Sequence, residues 1–156
     1  MESIEQLYNR AKRTYIIRLT LFTIIPYSLL TFSISYLFLN TELATLNILL
    51  RAFISSIGTG ILIGFIIMIT VFKKSKVLKH FNILYKPYAN VDRSLLLLLS
   101  FYLIQNKKVY SLEKPHHFNK QMRFLSKSFG ILYNKDTDED IVKEILIFGK
   151  NTNFEE

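Results

Sequence analysis

The sequence has no cysteine, three prolines and five glycines among its 156 residues. Without cysteine it can form no disulfide, thiolate zinc site or iron–sulfur cluster, and it has no thiol nucleophile. It also has no N-glycosylation sequon and no internal repeat. These absences exclude several classes of metalloprotein and redox enzyme. What is abundant instead is hydrophobic residues, which make up 50% of the chain.

Histidines are also few, and their spacing does not suit a metal site. They are His80, His116 and His117. Neighbouring residues on a helix point about 100° apart, so the pair at 116 and 117 is a poor chelate by itself. No carboxylate or third histidine follows at a regular ligand spacing. The sequence favours solvated histidines, and no cofactor or metal is expected.

Two further motifs suggest chemistry that their surroundings do not support. The acids at Asp136 and Asp138–Asp140 lack the glycine turn and the twelfth-position acid of a calcium loop. They suit the positive end of a helix dipole better. Gly58–Gly60 lacks the Gly-Lys-Ser/Thr of a phosphate loop and lies within an apolar stretch. We therefore expect a non-enzymatic protein with no evident small-molecule substrate.

The stretch around which the chain is organised runs without a charge from Ala52 to Phe72. A helix of about 20 apolar residues crosses the hydrocarbon core of a bilayer, so a span is predicted over about 48–72. Small residues recur there at every fourth position and define what we call the small-residue groove: Ala52, Ser56, Gly60 and Gly64. Such a groove lets a second helix backbone approach closely, at a right-handed crossing angle of about −40°.

A second uncharged stretch predicts a first span over about 19–39, with Pro26 expected to kink it. The polar connection to the second span is short, so the two spans should form an antiparallel hairpin. The first span carries a small, weakly polar stripe, and we expect this stripe to occupy the small-residue groove. The stripe consists of Ser28, Thr31 and Ser35.

Positive charges lie outside the two predicted spans, except for Arg51, which is at the outer end of the second span. Because Lys and Arg favour the cytoplasmic side, both termini are expected there, in a bacterial inner membrane. In a mitochondrial inner membrane, both termini would lie in the matrix. Arg51 is expected to snorkel to the interface rather than line a pore. The residues expected to set topology and contact anionic headgroups are Arg10, Lys12, Arg13, Arg18, Lys73, Lys74, Lys76 and Lys79.

Three regions follow from these patterns. Residues 1–18 are predicted to form an amphipathic lead-in helix, residues 19–72 the transmembrane hairpin, and residues 73–156 a cytoplasmic domain. Between Lys73 and Lys127 there are 12 Lys/Arg and two acids, whereas the residues after Lys127 carry 3 Lys and 7 acids. The expected fold class is an all-α membrane protein: a two-helix transmembrane hairpin with a small basic helical cytoplasmic domain.

Helices are predicted along the whole cytoplasmic domain. The second span is expected to continue as a rigid stalk to Tyr85, before Pro87. A helix capped by Asp92 or Ser94 has a uniformly apolar centre, Leu95–Ile104. We expect this centre to be buried within the domain; a surface pressed against membrane or a partner is the alternative.

Two amphipathic helices are predicted to follow. One begins after Pro115 and is capped by Gly130, and the other runs from Thr137 to Gly149. Short strands at Val109–Leu112 and Ile131–Tyr133 would make the soluble part α+β, which is the alternative fold class.

Three functions remain open from the sequence. The first is an accessory or assembly subunit of a larger membrane complex, since there is a packing groove and no catalytic constellation. The second is a small bacterial membrane protein of a toxin–immunity or defence system. The third is a homo-oligomeric channel formed by self-association. The expected partners are lipids and other membrane subunits; the basic segment has no nucleic-acid motif, and nucleic acid is disfavoured.

Overall fold

The computed structural model describes residues 2–38, 42–105 and 115–151. These residues form six helices and no strand. The helices are α1 (Ile4–Phe38), α2 (Glu42–Thr70), α3 (Lys74–Tyr85), α4 (Arg93–Gln105), α5 (Pro115–Phe129) and α6 (Lys135–Asn151). The all-α class is confirmed for this part of the chain. Ile131–Tyr133 is not a strand, and Val109–Leu112 lies outside the described residues.

The chain divides into two compact units, and each has its own pattern of burial. Residues 13–67 form the first, which we call the hairpin unit. Residues 1–12 and 68–156 form the second, which we call the helical unit. The first residues of the chain therefore group with the helices that follow residue 68, rather than standing apart as a lead-in.

In the hairpin unit, α1 and α2 run antiparallel along their contact. Tyr27 Oη lies 3.1 Å from Ser55 Oγ. Further along α2, Gly60 approaches Thr20 and Thr23, which come earlier in α1. Because residue numbers rise along one helix as they fall along the other, the two helices are antiparallel where they touch, and α1 covers one face of α2.

The predicted stalk from the second span to Tyr85 is wrong, because the helix breaks after Thr70. Lys73 has φ −50° and ψ 128°, an extended conformation, and α3 begins only at Lys74. The break directs the side chain of Phe72 into the core of the helical unit, where this residue is 4% exposed. The carbonyl of Phe72 accepts a hydrogen bond from the hydroxyl of Tyr8 at 2.9 Å, which replaces a helical partner.

The core of the helical unit contains an aromatic cluster that joins distant parts of the chain. The rings of Phe101 and Phe129 stack with centroids 3.9 Å apart. Phe72 meets both rings edge-on, at 5.3 and 5.2 Å. Tyr8 lies 6.3 Å from Phe101. Since Tyr8 comes from the start of α1, this cluster explains why the first residues belong to the helical unit.

Helix α4 is the buried centre of the helical unit. Every residue of Leu95–Ile104 is buried, and Leu96–Leu99 have no exposed surface. The helix packs against α3 and α5. Its start is capped as predicted, because Asp92 Oδ1 accepts a hydrogen bond from the amide of Ser94 at 3.1 Å.

The ends of α5 and α6 agree with the sequence only in part. Gly130 follows α5 with φ 66°, a left-handed conformation that favours glycine, so the predicted cap is confirmed. Helix α6 begins at Lys135 and extends to Asn151, so the predicted limits at Thr137 and Gly149 are wrong. The start shifts because Asp138 Oδ2 accepts a hydrogen bond from the amide of Asn134 at 2.9 Å, which caps the helix earlier.

Candidate helix-packing groove and membrane-facing surface

The small-residue groove is the buried face of α2. Within residues 51–67, all of which the structure describes, the buried positions are Ala52, Ser56, Gly60 and Gly64. Every other residue of this segment is half-buried or exposed. Buried positions that recur every four residues lie along the i±4 ridge of a helix. Helices that cross closely with a right-handed angle pack through this ridge.

The two glycines give the closest approach between the helices. A Cβ atom added to Gly60 would lie 2.5 Å from Thr23 Oγ1 and 2.6 Å from the Cα of Thr20. One added to Gly64 would lie 3.3 Å from a side-chain carbon of Ile16. Gly58, on the opposite face of the same helix, has no atom within 4 Å of that position. Glycine is therefore required sterically at position 60 and not at position 58.

The hydroxyls in this contact bond to their own helix. Thr20 Oγ1 donates to the carbonyl of Ile16 at 2.8 Å, and Thr23 Oγ1 donates to that of Thr20 at 2.8 Å. Ser56 Oγ donates to the carbonyl of Phe53 at 2.7 Å. Because these bonds satisfy the polar atoms locally, the contact between helices is close van der Waals packing, the main source of attraction between helices in lipid.

The occupant of the glycine half of the groove differs from the stripe expected from the sequence. It is formed by Ile16, Thr20 and Thr23, and the sequence analysis missed these residues. Extending the stripe along one helix face would not have reached both threonines, because at about 100° per residue Thr23 lies about 110° from the centre of the stripe. Ser28 lines an open depression at the other end of the contact, with Asn47, Leu49, Leu50 and Phe53. The side chains of Thr31 and Ser35 lie outside the described residues.

Large apolar side chains cover the outside of the hairpin unit. Among its described residues, fifteen large apolar side chains are exposed. They are Ile17, Leu21, Phe22, Ile25, Leu29, Leu30, Leu49, Leu50, Phe53, Ile54, Ile61, Leu62, Ile63, Phe65 and Ile66. A soluble monomer rarely exposes a contiguous apolar surface of this extent.

One segment of this surface has the length and composition of a membrane span. Residues Asn47–Thr70 of α2 form a helix of 24 residues whose most apolar 18-residue stretch has mean hydropathy 2.3, long and apolar enough to cross a membrane. The predicted first span ends among residues whose side chains the structure does not describe. The two-pass arrangement therefore stays a prediction.

The residues expected at headgroups are mostly exposed. Seven of the eight are exposed, and Lys12 is half-buried. Two of the set form ion pairs with acids at the start of α1: Arg10 with Glu2 at 2.9 Å and Lys74 with Glu5 at 3.0 Å. Exposed pairs of this kind contribute little stability, about 0–1 kcal/mol. The pair of Lys74 and Glu5 also connects the starts of α1 and α3.

Titratable groups with raised pKa values occur in both units. Burial, followed by the charges of Glu139 and Asp138, raises the pKa of Tyr133 to about 12. The hydrogen bond that Lys143 donates to the carboxylate of Glu139 raises the pKa of Lys143. Among the described residues, no group of three or more His, Asp and Glu side chains is placed to hold a metal ion.

No protein-family model, curated protein or solved structure matches this chain. The features of this chain that bear on its function are therefore the groove and the exposed apolar and basic surfaces.

Proposed function

We propose that this chain is a non-enzymatic, two-pass integral membrane protein that serves as an accessory or assembly subunit of a larger membrane complex. The observation that carries the proposal is the inverted burial of the hairpin unit. It buries small residues such as Gly60 and Gly64 and exposes large apolar ones such as Phe22 and Leu62. Lipid is a good solvent for large apolar side chains, and helices in lipid pack through small ones.

The proposed topology places both termini in the cytoplasm, with the connection around residues 40–47 on the other side. Exposed Lys and Arg residues at the start of α1 and after α2 support this orientation, because positive residues are retained on the cytoplasmic side. Lys73 and Lys76, directly after the helix break, are exposed and available to anionic headgroups.

The topology can be tested with single cysteines, since the chain has none of its own. A membrane-impermeant maleimide applied to intact cells should label Asn47→Cys. Ser3→Cys and Ser75→Cys, all three positions being exposed, should react only after permeabilisation. Labelling of Ser3→Cys in intact cells, or equal labelling of all three variants, would contradict the two-pass arrangement.

The role as a subunit follows from what the surfaces offer. The groove is filled by α1 of the same chain at Gly60 and Gly64, so this face has no need of a second copy. A homo-oligomeric channel is therefore less well supported than a subunit role. The remaining outer surfaces, the apolar one of the hairpin unit and the charged one of the helical unit, are available to other membrane proteins and lipids.

The subunit role is tested by purifying the tagged chain from its native membrane in a mild detergent. We expect other proteins to be recovered in stoichiometric amounts and identified by mass spectrometry. A tagged two-helix protein of unrelated sequence from the same membrane serves as the control for non-specific recovery. A monomer without partners would contradict the subunit role, and crosslinked oligomers of this chain alone would favour a channel.

A further inference from the structure

Helix α5 presents a basic outer face with an aromatic residue at its centre. Four exposed residues lie within an arc of about 100° on that face, given 3.6 residues per turn. They are Lys120, Arg123, Phe124 and Lys127. The ring of Phe124 is 63% exposed. Among the described residues, none of the three cations forms an ion pair with a carboxylate.

A second apolar side chain follows directly. Leu132, two residues after the Gly130 cap, is 94% exposed, more than any other large apolar residue in the described part of the chain. Between residues 72 and 151, only Phe124, Leu132 and Ile147 are large, apolar and exposed among the described residues. Two of the three therefore belong to α5 or to the segment that directly follows it.

The basic outer face of α5 is not the side of the helix that packs into the core. The opposite side of α5 already supplies the core, through Met122, Leu125 and Phe129, each at most 2% exposed. The helix thus has its apolar face buried, and Phe124 stands apart from that face among cations. A polar residue would be expected at such a position on a helix surrounded by water.

We propose that the outer face of α5, together with Leu132, lies in the headgroup region of an anionic bilayer. The proposal depends on the membrane anchoring proposed above, which keeps the helical unit close to a bilayer. Helices that lie in the interface combine Lys and Arg with Phe and Leu, as this face does. The cations would bind lipid phosphates, while Phe124 and Leu132 enter the boundary between headgroups and acyl chains.

A lipid surface fits this face better than an acidic protein segment. Phe124 and Leu132 are separate exposed side chains, 63% and 94% exposed, rather than members of a continuous apolar row that a peptide helix would need. A fluid headgroup layer needs no such row. Charge complementarity also selects one face of the unit, since the exposed face of α6 carries Asp140 and Glu144 beside Ile147 and would be repelled.

The absence of tryptophan makes a direct test possible. The full chain with Phe124→Trp is placed in nanodiscs of phosphatidylcholine alone, or of phosphatidylcholine and phosphatidylglycerol in equal parts. In the anionic discs we expect the emission to shift to shorter wavelength and quenching by acrylamide to fall several-fold. The matched control is Ile147→Trp, an exposed apolar site on the acidic face, which should respond equally in both discs.

A charge variant separates binding from folding. Replacing Lys120, Arg123 and Lys127 with Gln in the Phe124→Trp chain should abolish the difference between the two lipids. Because all three side chains are exposed, thermal unfolding should be unchanged. High salt should weaken the response in the same way, since the headgroup attraction is screened.

Each other outcome has a defined meaning. Equal quenching of Phe124→Trp in both lipids, with the chain incorporated in the discs, overturns this inference and leaves the membrane anchoring intact. Failure of the unaltered chain to enter nanodiscs overturns the anchoring itself. In detergent, the emission of Phe124→Trp could be protected from acrylamide only when a co-purified protein is present. That result would show that the face binds this protein, and it would overturn the lipid assignment.

Discussion

Helices α2 and α4 are both apolar around most of their circumference, but they bury opposite kinds of residue. In α4, every residue of Leu95–Ile104 is buried, mostly bulky leucines. In α2, burial between residues 51 and 67 is confined to one row of small residues, and the large ones are exposed. Neither composition nor helix propensity separates the two helices.

The difference in which residues the two helices bury follows from the length of each helix and from what surrounds it. At about 1.5 Å per residue, the 13 residues of α4 extend about 20 Å, too short to cross a bilayer. Such a helix must be covered by protein, and α3 and α5 cover it. The 24-residue segment of α2 is long and apolar enough to cross a membrane. In the proposed arrangement, lipid covers most of its surface and protein contact is needed only along the groove.

The largest expected effect comes from truncating a bulky side chain in α4. Leu97→Ala leaves a cavity at a position with no exposed surface, and about 2–5 kcal/mol of stability should be lost. The matched change in α2 is Leu62→Ala, at a residue that is 60% exposed, where lipid can fill the space. Hydrogen exchange of the full chain in nanodiscs measures both. Equal losses would contradict the proposed difference in surroundings.

The second test compares two glycines of α2. Gly60→Ala places a Cβ 2.6 Å from the backbone of Thr20, so overpacking should cost about 1–3 kcal/mol. Gly58→Ala meets no atom within 4 Å and should stabilise the helix by about 0.5–1 kcal/mol. Unfolding in detergent by increasing denaturant measures both changes. If Gly60→Ala is neutral or stabilising, the helices do not cross at this glycine.

A smaller effect is expected from removing one hydroxyl that ties the start of α1 to the helix break. Tyr8→Phe deletes the hydrogen bond to the carbonyl of Phe72 but keeps the ring, and it should cost about 1 kcal/mol. Its counterpart in the hairpin unit is Tyr27→Phe, whose partner is Ser55. Hydrogen bonds between helices in membranes average about 0.6 kcal/mol, so this loss should be smaller.

Hydrogen exchange at the amides of residues 4–12 would measure the effect of Tyr8→Phe. We expect faster exchange there and in α3, with no change in α2 before residue 67. Unchanged protection of residues 4–12 would show that this bond does not hold the first helical turns in the helical unit.

The last effect is absent at neutral pH and appears only at alkaline pH. The pKa of Tyr133 rises from 10.0 to about 12, so the folded chain keeps this proton where the unfolded chain loses it. The contribution of Tyr133 to stability is therefore complete below pH 10 and is lost as the pH rises towards 12. Tyr133→Phe should make the fall in stability over this range shallower. An identical fall in the variant would show that other tyrosines account for the slope.

Much of the helical unit could be predicted from local patterns. The cap at Asp92, the buried centre of α4 and the glycine cap at Gly130 depend on residues within a few positions of each other. The break after Thr70 could not be predicted in this way. It depends on Phe72 fitting against Phe101 and Phe129, which only the folded chain brings together.

The candidate groove could be predicted on α2 but not on its partner. The repeat from Ala52 to Gly64 is visible in the sequence because one helix carries all of it. The choice of Thr20 and Thr23 opposite Gly60 depends on the register of two helices. Register is decided by the sum of contacts along the whole interface, and no short motif encodes it.

The sequence by itself determined the helical class, the apolar segment that is long enough to cross a membrane and the row of small residues that packs. These features depend on the length of single helices, on where charged residues occur and on the spacing of small and apolar residues along each helix. The tertiary structure decided that residues 1–12 join the helical unit, that the helix breaks at Val71–Lys73 and that α1 meets the glycines through two threonines. Each of these is a contact between residues far apart in the chain, so its free energy appears only when the chain is folded.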